Sequence, residues 1–568
     1  MPGLKKEYDV IIIGGGINGL ACGAYLQKSG LKVAVFERSM EAGKGCCTEE
    51  VMHPGVKVSL CANLIATHWY PAYADLELER FGLEMLTSGE WGFFHPFKDK
   101  SAVFFHNWDA RKQYEAWRRI NEKDAETFRK IVNLFGPFFG SNWPPLTPST
   151  ETLEGLVKDD QLGKLLSTVV PQLPPNAIEL SAMEVADAVY EDERIKVAIL
   201  SLGITAGWHP WHKTITSYLP LLLPVKTLIT SLAWTCRGGS HAVTHALVRC
   251  FAHYGGKIFT ACPVAKIMVE NGEAKGVVLS KFAAYPEAEV RAKRAVVSDL
   301  SCHPTFLDMI DQNQLPDWVI KGAKAYNYND VILFDTHWVL NETPEWAGYP
   351  VEVNGAYALN YGIEGIADIE RFREDMKNDR IPDPPFVAGL TVQGFCMADP
   401  TQAPPGQHVI MSWANVPYHL SKYGGGPEKW DDLREEYGDK VEDLLSQYMS
   451  NLKRAKINRY CNTPLDYYRK NPSMRMGSAI GGANTPSQHG ADRPFPGCGA
   501  PRTSVGKLYI SNSIFPQGTT QLDTGYIAAS VVAQDLGVRE QDWWVAKPIE
   551  PGLKILRRMG IEPRWTVD

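Results

Sequence analysis

Tyr8-Asp9-Val10-Ile11-Ile12-Ile13-Gly14-Gly15-Gly16-Ile17-Asn18-Gly19-Leu20 is the stretch whose reading decides the fold. A β-branched run of this kind, apolar without alternation, predicts a parallel strand buried on both faces. The glycines follow at once and open an amphipathic helix through Ser29, which Gly30 ends. Leu31 to Phe36 reads as a second strand, and Glu37 closes it eighteen residues after Gly19. Each residue type has a task in such a unit. Gly14 permits the tight turn, Gly16 lets backbone N–H groups approach a pyrophosphate, and Gly19 allows close helix–strand packing. The helix N-terminus supplies partial positive charge. Glu37 is placed to accept hydrogen bonds from ribose hydroxyls. A lone GxGxxG says little, whereas strand, turn, helix, strand and acid in this order point to a dinucleotide.

The unit by itself does not choose between NAD and FAD. Two further segments do. Cys236-Arg237-Gly238-Gly239-Ser240 leads a predicted helix over 241–254, followed by strands over 257–259, 264–270 and 275–279 and a returning strand over 295–299. Near the C-terminus a strand over 507–511 precedes Pro516-Gln517-Gly518-Thr519-Thr520-Gln521 and a helix over 526–536. A second strand, glycine loop and helix far from the first is what a flavin requires, because its ribityl chain and ring need a second wall.

With these three segments the chain resembles the phytoene desaturase-like branch of the FAD-dependent amine oxidase superfamily, which includes carotenoid desaturases, ketolases and retinol saturase-type enzymes. Asn18-Gly19-Leu20 matches a GxNGL subgroup, Arg237-Gly238-Gly239 the central glycine pair, and Leu508 to Gly518 with Gly525 to Ala529 the C-terminal flavin signature. The resemblance implies non-covalent FAD held by Gly14, Gly16, Asn18, Gly19, Glu37, Arg38, Lys44, Gly45, Gly239, Val264, Ser513, Gly518, Thr519 and Thr520, with the Val264 backbone against adenine. The chain departs from the pattern in three places, one of them the end of the C-terminal strand at Ser511-Asn512-Ser513, where small residues or Cys-Gly are common. Lys44 interrupts the glycine pair in Gly43-Lys44-Gly45-Cys46-Cys47, and Gln517, Thr519 and Thr520 replace much of a glycine run beside the expected flavin ring. Gln517 and Gln521 are therefore candidate catalytic residues, able either to bond the ring edge or to satisfy the N–H groups of the following helix. His489 is a third candidate, with a structural loop as the equal alternative.

The stretches between the flavin segments contain no second GxGxxG, so NADPH is not expected to reduce the flavin directly, and oxygen or a quinone is the expected electron acceptor. They are rich in aromatics, including His68-Trp69-Tyr70, Trp91-Gly92-Phe93-Phe94 and Trp208-His209-Pro210-Trp211-His212. A tunnel for a small hydrophobic or aromatic substrate and an ordinary large core both fit these clusters. No metal site is expected. His209 and His212 are separated by Pro210 with no carboxylate near in sequence, and His241 and His245, one helical turn apart, read as packing or capping residues. Residues 218–234 form either a membrane-dipping entrance or a buried helix pair. Asp523 either caps the last helix or faces the flavin.

Bulk properties agree with a large folded protein. The 568 residues are 44% hydrophobic and 22% charged, too many for one core. A net charge of −7 argues against a nucleic-acid partner. The 11 cysteines, scattered and without a CxxC pair, suit a reducing compartment. With neither a cleavable leader nor a membrane span recognised, a cytoplasmic protein with room for peripheral membrane contact is expected. The expected fold class is an α/β Rossmann-type FAD-binding domain, discontinuous over 1–80, 232–304 and 470–540. An inserted α+β substrate domain takes up 81–231 and 305–469, with a tail over 541–568. The expected function is hydride transfer from a substrate C–H to flavin N5, as in a desaturase or dehydrogenase. Amine oxidation, flavin-dependent isomerisation and a non-catalytic flavoprotein are the alternatives.

Overall fold

A computed structural model describes residues 3–138, 160–213, 215–230, 233–488, 492–499, 501–512, 522–545 and 550–568. Its first half supplies β1 (Glu7–Ile13), β2 (Val33–Phe36), a ribbon of β3 (Thr48–Glu49) and β4 (Val58–Ser59), β5 (Met85–Leu86), β6 (Trp91–Pro96), β7 (Ala102–His106) and β8 (Thr235–Cys236). Then come β9 (Lys257–Phe259), β10 (Val264–Glu270), β11 (Glu273–Leu279) and β12 (Glu289–Ser298). The remaining strands are β13 (Leu333–Leu340), β14 (Ala356–Tyr361), β15 (Val387–Leu390), β16 (His408–Asn415), β17 (Lys456–Asn462) and β18 (Leu508–Ile510).

One seven-stranded sheet runs β10-β11-β12-β1-β2-β9, with β18 pairing β12. β1 lies between β12 and β2, parallel to both. The apolar run of β1 is explained by cover on both faces. Val10 and Ile12 pack under the helices Ile17–Lys28, His241–His253 and Asp523–Asp535, while Ile11 and Ile13 enter a second core with Phe36, Val296 and Leu508. Each of these aliphatic side chains contributes about 1.5–3 kcal/mol relative to exposure. The parallel strands β1, β2, β12 and β18 all end at one edge, where Gly14, Glu37, Asp299 and Ser511 follow them directly. A crevice beyond the carboxyl ends of parallel strands is where doubly wound sheets bind ligands.

The second sheet runs β17-β13-β16-β15-β14-β6-β7 and is antiparallel except where β14 meets β6. Period-two alternation sorts β13 into two faces. Phe334 and Trp338 pack with Trp430 on the outer side, whereas Val339 joins the large inner core built with the helices Glu122–Phe135, Glu193–Thr205 and Leu219–Thr230. Asp335 and His337 share the Val339 face.

Secondary structure follows the sequence reading closely, with β9 and β10 at the expected bounds. Domain packing differs in two places. Residues 305–328, expected in the substrate domain, place Phe306, Val319, Ala323, Tyr326 and Tyr328 in the core beneath the first sheet. The expected tail is also packed, since Trp544, Ile555 and Leu556 enter the other core of that sheet. Both misassignments arise because the reading followed chain continuity, whereas burial of apolar faces sets the units. The stretch from Tyr218 is a buried helix, Leu219–Thr230, with Leu221, Leu223, Val225 and Leu228 inside the inner core despite Pro224 within it. Among the described residues no helix is long and apolar enough to cross a membrane.

Candidate dinucleotide and redox site

Gly14 sits at φ +98°, where a side chain is strained, and its N–H donates to Phe36 O at 2.9 Å. The Glu37 carboxylate is buried and takes two backbone donors, Gly15 N–H at 2.8 Å and Ser39 N–H at 2.7 Å. Each oxygen keeps a further acceptor position, which suits the two hydroxyls of a ribose. Gly16 is the extended N-cap of the first helix, without a side-chain cap.

The group facing that helix end is Asp299. A Cβ on Gly16 would stand 2.4 Å from Asp299 Oδ2, and one on Gly19 would meet Gly14 O at 2.7 Å and Asp299 Cβ at 2.8 Å. Burial drives the Asp299 carboxyl well above the usual carboxylate range, against the lowering pull of the Gly19 N–H, Ser511 Oγ and the Gly16 N–H, and Glu37 pushes it further up. Ser511 Oγ reaches Asp299 Oδ1 at 3.2 Å, and Asn512 Nδ2 donates to the Asp299 carbonyl at 2.8 Å. The upward shift lessens the repulsion between this carboxyl and a pyrophosphate. Sequence reasoning missed Asp299. The available signal was its place directly after the returning strand, at the same edge as Gly14 and Glu37.

Asn18 was expected to hold cofactor. Its Oδ1 accepts the Gly525 N–H at 3.1 Å, tying the first helix to the helix Asp523–Asp535 across 507 residues of sequence. Gly45 has open space where a Cβ would stand, Lys44 beside it is half-buried, and Arg38 is exposed. Gly239, at φ +88°, would meet Thr48 Oγ1 at 2.4 Å if it carried a Cβ. Val264 is buried at the start of β10, two residues beyond Cys262, whose N–H donates to Glu37 O at 2.8 Å. Gly14, Gly16, Gly19 and Glu37 thus meet at one place, with Gly45 and the Val264 segment beside them. Ser513, Gln517, Gly518, Thr519, Thr520, Gln521 and His489 lie outside the described residues. Cys46 and Cys47 are buried, and burial pushes the Cys46 thiol up to about 12, so it is a packing residue and not a thiolate.

Asp335 and His337 are fully buried and lie 3.8 Å apart, and Tyr467 Oη bonds Asp335. Both His337 nitrogens lack a hydrogen-bond partner among the described residues. Asn462, paired with Asp335 across β13 and β17, donates to Leu60 O at 3.3 Å and joins this strand pair to the first unit. Lys226 has a different character. It is surrounded by protein, so burial lowers its ammonium, with Asp523 opposing that shift. Yet its side chain is exposed. The carboxylate that sequence distance hid from His209 is Asp330, in direct contact with it in the interior. Burial works against charge on Asp330, but His209 and His212 hold its carboxyl below the usual range. Trp211 stacks on His209 at 4.6 Å.

The buried Glu37 carboxylate, the uncapped helix N-terminus at Gly16 and the open space at Gly45 fit the adenosine and pyrophosphate of FAD. Comparison with known proteins agrees. Residues 12–76 match the NAD(P)-binding Rossmann-like domain family. A limonene dehydrogenase component from Castellaniella defragrans is 30% identical over 557 residues, covering 95% of this chain and 96% of that protein. The neurosporene-forming phytoene desaturase of Cereibacter sphaeroides is 22% identical over 464 residues, 79% of this chain and 81% of the relative. Among solved structures, wild-type putrescine oxidase bound to putrescine superposes with a TM-score of 0.54 over 94% of this chain and 99% of the other, at 15% identity. That likeness shows a shared fold.

Proposed function

We propose, from the premise that this chain belongs to the phytoene desaturase-like branch of the FAD-dependent oxidoreductases, that it dehydrogenates a hydrophobic hydrocarbon-like substrate with non-covalent FAD. One observation carries the reading. The starts of the helices Ile17–Lys28 and Asp523–Asp535 meet through Asn18 and Gly525 at 3.1 Å, which supports reading the two distant segments as parts of one cofactor cradle. The limonene dehydrogenase component and phytoene desaturase are both named for hydrocarbon substrates, and the relation to each spans most of both chains.

When bound, FAD supplies the acceptor for a hydrogen and its electron pair. In this reading the Glu37 carboxylate holds the ribose hydroxyls, and the N-terminus of the helix Ile17–Lys28 holds the pyrophosphate. Gln517, Thr519, Thr520 and Gln521 are assigned to the flavin wall. Forming a carbon–carbon double bond also releases a proton from the neighbouring carbon. Lys226 Nζ is assigned to take that proton, because its surroundings favour its neutral form and it lies close enough to Asp523 to feel that carboxylate. A hydrocarbon offers no polar handle, so orientation falls to the apolar inner face of the second sheet, including Met411 and Trp413. Oxygen or a quinone is the assigned electron acceptor.

Acid precipitation tests the cofactor assignment. FAD should leave with the supernatant, and the precipitated chain should have the mass of the unmodified sequence. A chain that retains the flavin mass overturns non-covalent binding, and a chain purified without any flavin overturns the reading as a whole.

A further inference from the structure

His241 and His245 stand one turn apart on the helix His241–His253, and the sequence offers them no third ligand. The fold brings one. The loop after β2 is held at Gly43 by a bond from its N–H to Gly15 O at 2.9 Å, and Gly43 presses so close to the helix that a Cβ there would lie 2.1 Å from Thr244 Oγ1. Two residues earlier the loop carries Glu41. Its Oε1 lies 3.5 Å from His241 Nε2 and 3.6 Å from His245 Nε2, and the three groups offer ligand atoms all within 4.8 Å of one another.

We infer that Glu41, His241 and His245 form an open three-ligand site for a divalent ion of the zinc type. Ligand atoms around a tetrahedral zinc ion, at bonds of about 2.0–2.2 Å, sit about 3.4 Å apart. Both carboxylate–imidazole distances already match that edge. Two imidazoles and one carboxylate select zinc-like ions over magnesium or calcium, which prefer all-oxygen sets. The His241 and Glu41 side chains are 12% and 56% exposed, so an ion can enter from solvent while one ligand is held in place. The two histidines also border a groove of ≈ 230 Å³ lined by Thr48, Glu49, Lys57 and Arg237, which leaves room for water on the open coordination positions. Two features oppose the ion. His241 Nε2 has a long contact with Ala42 O at 3.3 Å, which metal binding would replace, and the positive charge of Lys44 is near. The site ties the glycine-bearing loop 41–45 to the central helix, so occupancy should rigidify the loop that borders the dinucleotide crevice. It does not depend on which substrate the enzyme oxidises.

The test uses full-length, FAD-loaded protein stripped with a chelator and then titrated with zinc by calorimetry, with bound metal counted after dialysis. Wild type should bind one zinc per chain and melt at a higher temperature with zinc present. Loss of a ligand should cost at least as much as loss of an outer-shell partner, about 10–100-fold in affinity. His245→Ala and Glu41→Gln should each show that loss with FAD content unchanged, and zinc should no longer raise their melting temperature. The inference is overturned if wild type shows no saturable zinc binding. It is equally overturned if both variants bind zinc as tightly as wild type.

Discussion

Gly16 has no room for a side chain, and the obstruction is a carboxyl that no local reading anticipates. A valine there would place Cβ 2.4 Å from Asp299 Oδ2 and fill the space above the helix N-terminus. Gly16→Val is expected to purify with its flavin absorbance largely lost, and full FAD occupancy in that variant would refute the placement of the pyrophosphate. The convergence of Gly14, Gly16, Gly19 and Glu37 was legible because they lie along one short segment with fixed spacing. Asp299 was not, because its role comes from β12 lying beside β1, a pairing of residues far apart in the chain. Lys226 was hidden for a related reason. In sequence it is a polar interruption in an apolar helix, and only the fold shows how its surroundings lower the ammonium. Lys226→Met should keep FAD yet slow reduction by substrate by about 10²–10⁴-fold. Because burial lowers the Lys226 ammonium, the wild-type rate of flavin reduction should rise with pH through a value below 10.5, as the neutral amine forms. Stopped-flow rates against pH should show that limb in wild type and lack it in Lys226→Met. A variant that keeps both rate and limb would remove Lys226 from the mechanism.

Among elements, the contact of the first helix with the helix Asp523–Asp535 matters most, since it joins the two halves of the cofactor crevice. A Cβ on Gly525 would stand 2.5 Å from Asn18 O and 2.9 Å from Asn18 Cα, so the contact is backbone to backbone and cannot yield by a rotamer change. Gly525→Ala should therefore destabilise by about 1–3 kcal/mol, read from denaturant midpoints, and should release FAD more readily. An alanine variant with wild-type midpoint and FAD retention would show that the helices are not coupled through this point. The elements themselves were readable. β1, β9 and β10 announce themselves by β-branched runs and turn residues, and the helices by glycine-bounded apolar periodicity. Their grouping was less so. The segment over 305–328 carries Phe306, Val319 and Tyr326 at spacings that fit any amphipathic stretch, and only the uncovered face of the first sheet determines where they go. The closing segment is similar, with Gly552 fitted so tightly against Trp69 that a Cβ would lie 2.2 Å from the ring.

Across the whole molecule, burial has been extended to groups that water would readily protonate. Burial lowers the His68 imidazole to about 3, and the His95 and His106 imidazoles to about 4. His68 lies 4.1 Å from the Trp234 ring and 4.8 Å from that of Trp69, without a hydrogen-bond partner among the described residues. In the unfolded chain these imidazoles take up protons near 6.5, so the unfolded state binds more protons throughout the interval down to about 3–4. Their contribution to stability is complete above pH 6.5 and is lost as pH falls through that interval. One such group should cost about 2 kcal/mol between pH 6.5 and about pH 5. His68→Phe should flatten the acid limb of the stability–pH curve, and an unchanged limb would show that His68 does not carry it. The central claim is that the two units enclose a flavin reduced by a hydrophobic substrate, and one anaerobic measurement addresses it directly. The FAD-loaded protein is mixed without oxygen with unsaturated and cyclic hydrocarbons, and the flavin absorbance and product mass are followed in the same sample. The account predicts that the flavin bleaches in proportion to a product lighter than its substrate by one H₂. Substrate consumed while the flavin stays oxidised, or a product of unchanged mass, would contradict it.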